Sequence, residues 1–212
     1  MLSVELTKQT KRKNVHRLWY HDMSVSDVRH SFSSPKILEI GCGEGLLMDA
    51  LSDLQPVAID LAFPRLEVIA RTLHSCSEAD AQLLPFRSEV FESVVCHHTI
   101  EHVPSPYSML LEICRVLKPQ GIVCITTPIA SAGGRIFARS RNARGERVLS
   151  SDHTHEFKSS PELITMLQLG NKFNLVKMER RWETKAISVR NHLFHIPLWL
   201  YYSDYYVVMK KA

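Results

Sequence analysis

The stretch Val94 to Val103, "VVCHHTIEHV", crowds chemically capable side chains together. His98, Glu101 and His102 spell H-x-x-E-H; on a helix this spacing sets two imidazoles one turn apart with a carboxylate beside them. Two imidazoles can hold zinc and the carboxylate can take a proton from bound water, which is the chemistry of peptide hydrolysis. A third ligand would come from elsewhere, with Glu179 and Glu183 as candidates. A second group lies upstream. "ILEIGCGEG" places Gly41, Gly43 and Gly45 after an apolar run, with Glu39 just before the turn and Asp60 ending the next run. Glycines between a strand and a helix let backbone approach a nucleotide-like ligand, and an acid in the position of Asp60 can accept from both ribose hydroxyls. The pyrophosphate fingerprint G-x-G-x-x-G is incomplete, because Leu46 occupies its last position. Glu39 is ill placed beside a pyrophosphate and well placed beside a ligand carrying positive charge.

Such groups need a scaffold. From residue 36 onward apolar runs alternate with helical patterns, as expected of a parallel sheet with helices on both faces. The runs Lys36–Ile40, Pro56–Asp60, Phe91–His97 and Gly121–Pro128 read as strands, the last halted by its proline. Leu46–Leu54, Pro64–His74, Pro106–Leu117 and Ser160–Gly170 have helical spacing, with Ser160 as a cap. Lys172–Trp182 and Asp204–Lys211 read as closing strands. Residues 1–35 are expected to form an N-terminal helical cap and 129–159 a polar lid insertion, all within a single domain spanning 1–212. The apolar stretch "HLFHIPLWLYY" reads as core, with a pocket wall or dimer face as alternatives.

With 212 residues, 45% hydrophobic and 23% charged, the composition is that of an ordinary soluble domain. The five cysteines form no C-x-x-C pair and fall mostly in apolar runs, which predicts reduced thiols in a cytoplasmic protein. The N-terminus carries charge where a secretory signal needs an apolar segment, and no run reaches the roughly 18 apolar residues of a membrane span. Two basic regions stand out, Lys8 to Arg17 and the lid arginines Arg135, Arg139, Arg141, Arg144 and Arg147. Arginine is the preferred partner of carboxylates and phosphates.

The motifs in order, "ILEIGCGEG", "VAID", "EADAQLLPFRSEVFESVVCHHTIEHV", "LLEICRVLKPQGIVCITTP" and "DHTHEFKSSPELITML", resemble those of the class I S-adenosylmethionine-dependent methyltransferases of small-molecule type, from about Lys36 to Gly170. The resemblance implies a Rossmann-like α/β fold, a seven-stranded mostly parallel sheet, and S-adenosyl-L-methionine as cofactor. It places Gly41 and Gly43 under the methionine portion, with Cys42 presenting backbone and Glu39 on the ammonium side. Asp60 takes the ribose hydroxyls and Leu61 packs against adenine. Asp80 accepts from the adenine amino group, the Ala81 amide lies near the ring, and His97 lines the methionine and sulfonium end.

In that frame "VVCHHTIEHV" becomes the end of a fourth strand, in which Glu101 and His102 order the loop. Small-RNA and ubiquinone-pathway O-methyltransferases are similar here with E-x-x-E-H, a divalent-ion site. His98 replaces their first glutamate, and His153 or His155 could complete a set with Glu101 and His102. Because magnesium prefers oxygen ligands, His98 would favour zinc, iron or no metal, and none is assigned. His98 stays open between acceptor-side base, metal ligand and bystander, with His153 as the other candidate catalytic base. The acceptor is expected to be a small molecule, anionic or partly apolar, handled by a monomer or a homodimer. RNA ranks behind it, with the Lys8–Arg17 patch and the lid as its phosphate contacts; the absence of an N-P-P-Y signature after the fourth strand argues against exocyclic amines of nucleic-acid bases. A catalytically inactive partner subunit would have no need of Gly41, Gly43, Asp60 and Asp80.

Overall fold

The computed structural model describes residues 18–33, 35–43, 45–61, 75–130, 160–182 and 202–212. Within them the apolar runs become strands β1 (Ile37–Ile40), β2 (Val57–Asp60), β3 (Cys76–Glu78), β4 (Phe91–His97), β5 (Leu117–Ala130), β6 (Phe173–Trp182) and β7 (Tyr202–Lys211). They form a 7-stranded sheet in the order β3-β2-β1-β4-β5-β7-β6. All neighbours from β3 to β5 are parallel; β7 runs antiparallel to both β5 and β6. The mostly parallel α/β sheet expected from the alternation is therefore present.

Burial on both sides explains the near-continuous apolar runs. In β4, Val94 and Cys96 join one core cluster while Val95 joins another. β5 divides likewise, with Val123 and Ile125 on the first face and Ile122 and Cys124 on the second. The first face is covered by α3 (Pro106–Val116) and α4 (Ser160–Gln168), the second by α1 (Leu18–Ser31) and the short α2 (Leu46–Ala50). Helix α3 forms because Pro106, Met109, Leu110, Ile113 and Val116 repeat at helical spacing and are buried, and because Ser105 caps it by accepting from the Ser108 N–H at 3.2 Å.

Three expectations shift. The helix expected over Leu46–Leu54 ends at Ala50, and Ser52–Leu54 continue as a 3-10 turn. Pro128 does not halt β5. Beyond Thr126, the last residue paired with β4, the strand keeps only β7 as neighbour, so a missing N–H is tolerated as on an edge strand. Ile129 and Ala130, assigned to the lid insertion, thus still pair with Ser203 and Tyr202. The edge strand β3 lies where the sequence has no alternating pattern. The Lys8–Arg17 patch, the helix over 64–74, the remainder of the lid with its arginines and His153, and most of "HLFHIPLWLYY" lie outside the described residues.

Candidate active site at the switch point of the sheet

Chain order reverses between β1 and β4, and open α/β sheets bind ligands beyond the carboxyl ends of the strands at such a point. The glycine turn, Asp60, Ala79–Ala81 and His97–Thr99 all follow strand ends on that side. Gly41 and Gly43 have φ of +73° and +54°, a region costly for residues with a Cβ. A Cβ on Gly41 would also stand 2.1 Å from Thr99 Oγ1, so the turn after β1 packs directly against the loop after β4. A Cβ on Gly43 would meet no described atom within 4 Å, which leaves room beside the turn. The turn is anchored on β2: Gly41 and Cys42 N–H donate to the Ile59 carbonyl at 2.8 and 3.2 Å, and Gly43 N–H donates to Asp60 Oδ2 at 2.9 Å. Asp60 therefore shapes the turn.

Glu39, on β1 behind the turn, is buried, and its Oε2 has no hydrogen-bond partner among the described residues. Burial, then the neighbouring Asp60, pushes its carboxyl up to about 8. The Cys42 thiol is pushed up to about 12 by burial and adjacent carboxylates, which makes it inert as a nucleophile. Leu61, at 69% exposure, offers an apolar surface beside Asp60. Asp80 is exposed, and its Oδ1 accepts the Gln82 N–H at 2.8 Å; Ala81 is buried. That loop is tied to α3: Gln82 Oε1 accepts from Ser105 N–H, Glu112 Oε2 accepts from Leu84 N–H, and Arg115 donates to the Leu84 and Phe86 carbonyls.

At the end of β4 the two histidines part. His97 is buried; its Nε2 lies 3.0 Å from Ser24 Oγ on α1 and its Nδ1 3.1 Å from Thr126 Oγ1 on β5. The Ser24 hydroxyl continues to Tyr206, whose own hydroxyl donates to Asp27 at 2.8 Å. His98 takes a φ of +49°, unusual for a residue with a side chain, and its N–H donates to the Thr126 carbonyl at 3.0 Å. Its half-buried ring lies 3.3 Å from Glu101 Oε1 and 3.9 Å from Asp204 Oδ2. Glu101 is buried and also accepts from the Thr127 hydroxyl at 3.4 Å.

Residues 98–104 form turns and bends, so the helical presentation of H-x-x-E-H is replaced by a single turn closed by His102 N–H on the Thr99 carbonyl. Among the described residues no three ligands gather as a metal site. Glu179, offered as a zinc ligand, pairs instead with Lys177 on β6, and Glu183 lies outside the described residues. Thr99, Gln82 and Asp204 escaped sequence reading. Asp204 comes into range only through the antiparallel register that sets it opposite Pro128.

Residues 38–125 match a family described as "Methyltransferase domain". A ubiquinone biosynthesis O-methyltransferase of Xanthomonas oryzae pv. oryzae (strain PXO99A) is 32% identical over 126 residues, covering 55% of this chain and 52% of that protein. The chain thus spans about half the length of such curated relatives. Among solved structures, an S-adenosylmethionine-dependent methyltransferase of Thermotoga maritima has a TM-score of 0.65 at 18% identity, covering 98% of this chain and 97% of that one. One from Methanosarcina mazei has a TM-score of 0.64 at 17% identity, covering 87% and 96%. The local chemistry is compatible with the cofactor of these proteins: a turn of two positive-φ glycines anchored on the Asp60 carboxylate, and a buried Glu39 oxygen with no hydrogen-bond partner among the described residues. Residues 38–125 therefore match a methyltransferase domain, within a chain whose described sheet has the fold of these S-adenosylmethionine-dependent methyltransferases.

Proposed function

We propose that the protein transfers a methyl group from S-adenosylmethionine to a small-molecule acceptor that is anionic or partly apolar. The observation that carries this reading is the meeting, at one switch point, of the glycine turn, Asp60, buried Glu39 and half-exposed His98. When bound, the cofactor supplies a methyl group already activated by a sulfonium leaving group. The protein's task is then mainly positioning. Gly41 and Gly43 bring backbone close to the methionine portion, and Cys42 presents its backbone to it. Asp60 accepts from the ribose hydroxyls, Leu61 and Ala81 flank adenine, and Asp80 receives the adenine amino group. Glu39 serves the ammonium side, and His97 forms the wall at the sulfonium end. His98 is the acceptor-side base: Glu101 and Asp204 stabilise its imidazolium once it has taken a proton. His153 would act from the lid.

Relatives named for O-methylation in ubiquinone biosynthesis support an oxygen acceptor on a partly apolar molecule. The lid arginines support an anionic group on it; replacing Arg135, Arg139 and Arg141 by Ala should weaken acceptor binding about tenfold or more, and unchanged affinity would remove that part of the reading. The central test is calorimetry with S-adenosylhomocysteine. Binding is expected, and Asp60→Ala should weaken it about 100-fold, as for loss of a charge-assisted hydrogen bond. No binding by the wild type would falsify the proposal.

A further inference from the structure

We propose that Glu39 works by ion exchange: it is a carboxylic acid in the free protein and releases its proton to solvent when the ammonium of the cofactor's amino-acid tail settles at the glycine turn. The inference rests on the cofactor reading above and goes beyond it to the protonation state of the empty site. Geometry carries it. Glu39 is 3% exposed, and its Oε2 finds no hydrogen-bond partner among the described residues. Such an oxygen is costly as an anion and far less so as an acid.

The described groups around it do not favour the anion. Asp60 on β2 and Asp49 on α2 both add negative charge, and the Cys42 thiol of the turn stays neutral. From β4, Val95 stands opposite Glu39 and the terminal His97 is turned toward Ser24 and Thr126. On α1, Asp27 is engaged with Tyr206 and Lys177 and Arg29 with Asp53, while Asp22 is exposed. Among the described residues, the Met48 N–H on α2 favours ionisation. The balance lifts the carboxyl from 4.5 to about 8. A cation at the turn reverses the sign of the local field and stabilises the carboxylate.

The exchange balances without other chemistry. The O–H bond of Glu39 breaks, its proton goes to solvent, and the carboxylate that remains is matched by the incoming ammonium. Linkage then sets the sign. Binding selects the ionised form, so affinity rises with pH, about tenfold per unit, until the free carboxyl ionises near about 8, and levels off above it.

Calorimetry on the full chain reads the proton directly. S-adenosylhomocysteine is titrated at about pH 6.5 in buffers of contrasting ionisation enthalpy, and about one proton should be released per ligand. 5′-Methylthioadenosine, which keeps the nucleoside and sulfur but lacks the amino-acid tail, should bind with almost none. Glu39→Gln should bind S-adenosylhomocysteine without proton release and with an affinity flat from about pH 6 to 8. Binding without proton release in the wild type, or equal release with the tail-less nucleoside, overturns the inference and leaves the cofactor reading standing. Failure of both nucleosides to bind the wild type at any pH overturns the cofactor reading, and the inference falls with it.

Discussion

The two loops that face each other across the switch point are built from different materials. The turn after β1 is made of backbone: positive φ at Gly41 and Gly43, and amide groups hung on β2 and Asp60. The loop after β4 is made of side chains, with His97 set among Ser24 and Thr126, and His98 beside Glu101 and Asp204. A ligand common to many acceptors can be held by a conformation that only glycine supports cheaply. On the proposed reading the loop after β4 serves the acceptor, and its side chains are set by groups from α1, β5 and β7. Among the described residues the loops meet where Thr99 packs against Gly41 and donates its hydroxyl to the Ile40 carbonyl at 3.3 Å.

That contact offers the largest effect. Gly41→Ala should destabilise the protein by about 3 kcal/mol in urea unfolding, because it adds both a disfavoured φ and a clash with Thr99. Adding Thr99→Ala should recover part of this loss; a purely additive double mutant would mean that the loops are independent. Next is Glu101→Gln, which keeps the shape and removes the charge beside His98. A stability loss of about 1–2 kcal/mol is expected, with S-adenosylhomocysteine affinity changed less than about threefold. A large drop in that affinity would erase the division into a cofactor half and an acceptor half. The smallest effect belongs to Thr126→Val, which takes the hydroxyl from His97 Nδ1 at the cost of about 1 kcal/mol in thermal unfolding. Loss of cofactor binding there, with stability unchanged, would move His97 from a wall of the site to a direct contact.

Legibility followed the same division. Gly41, Gly43 and Asp60 could be read because a strand-ending glycine turn and an acid on the next strand form a local pattern with a local cause. β4 and β5 could be read because burial on both faces leaves runs such as "VVC" and "IVCIT" without polar interruption. β3 could not: its three residues are half-buried or exposed at the sheet edge, so no alternation marks them. Pro128 misled because the rule it invokes concerns central strands, and whether β5 is central at that point depends on where β4 ends.

The histidine cluster marks the boundary most clearly. Spacing alone offered His98 and His102 to one metal. The tertiary structure gives 98–102 a single turn, faces His97 toward α1, and brings Asp204 across from β7 to His98. By itself the sequence determined the layered α/β scaffold, the glycine turn and the acids that serve it, since periodicity and glycine conformation act over neighbouring residues. Only the tertiary structure decided that Thr99 buttresses Gly41, that Glu39 is buried with an oxygen unsatisfied among the described residues, and which groups flank His97 and His98. Those relations join residues far apart in sequence, and strand register, which no local pattern encodes, brings them together.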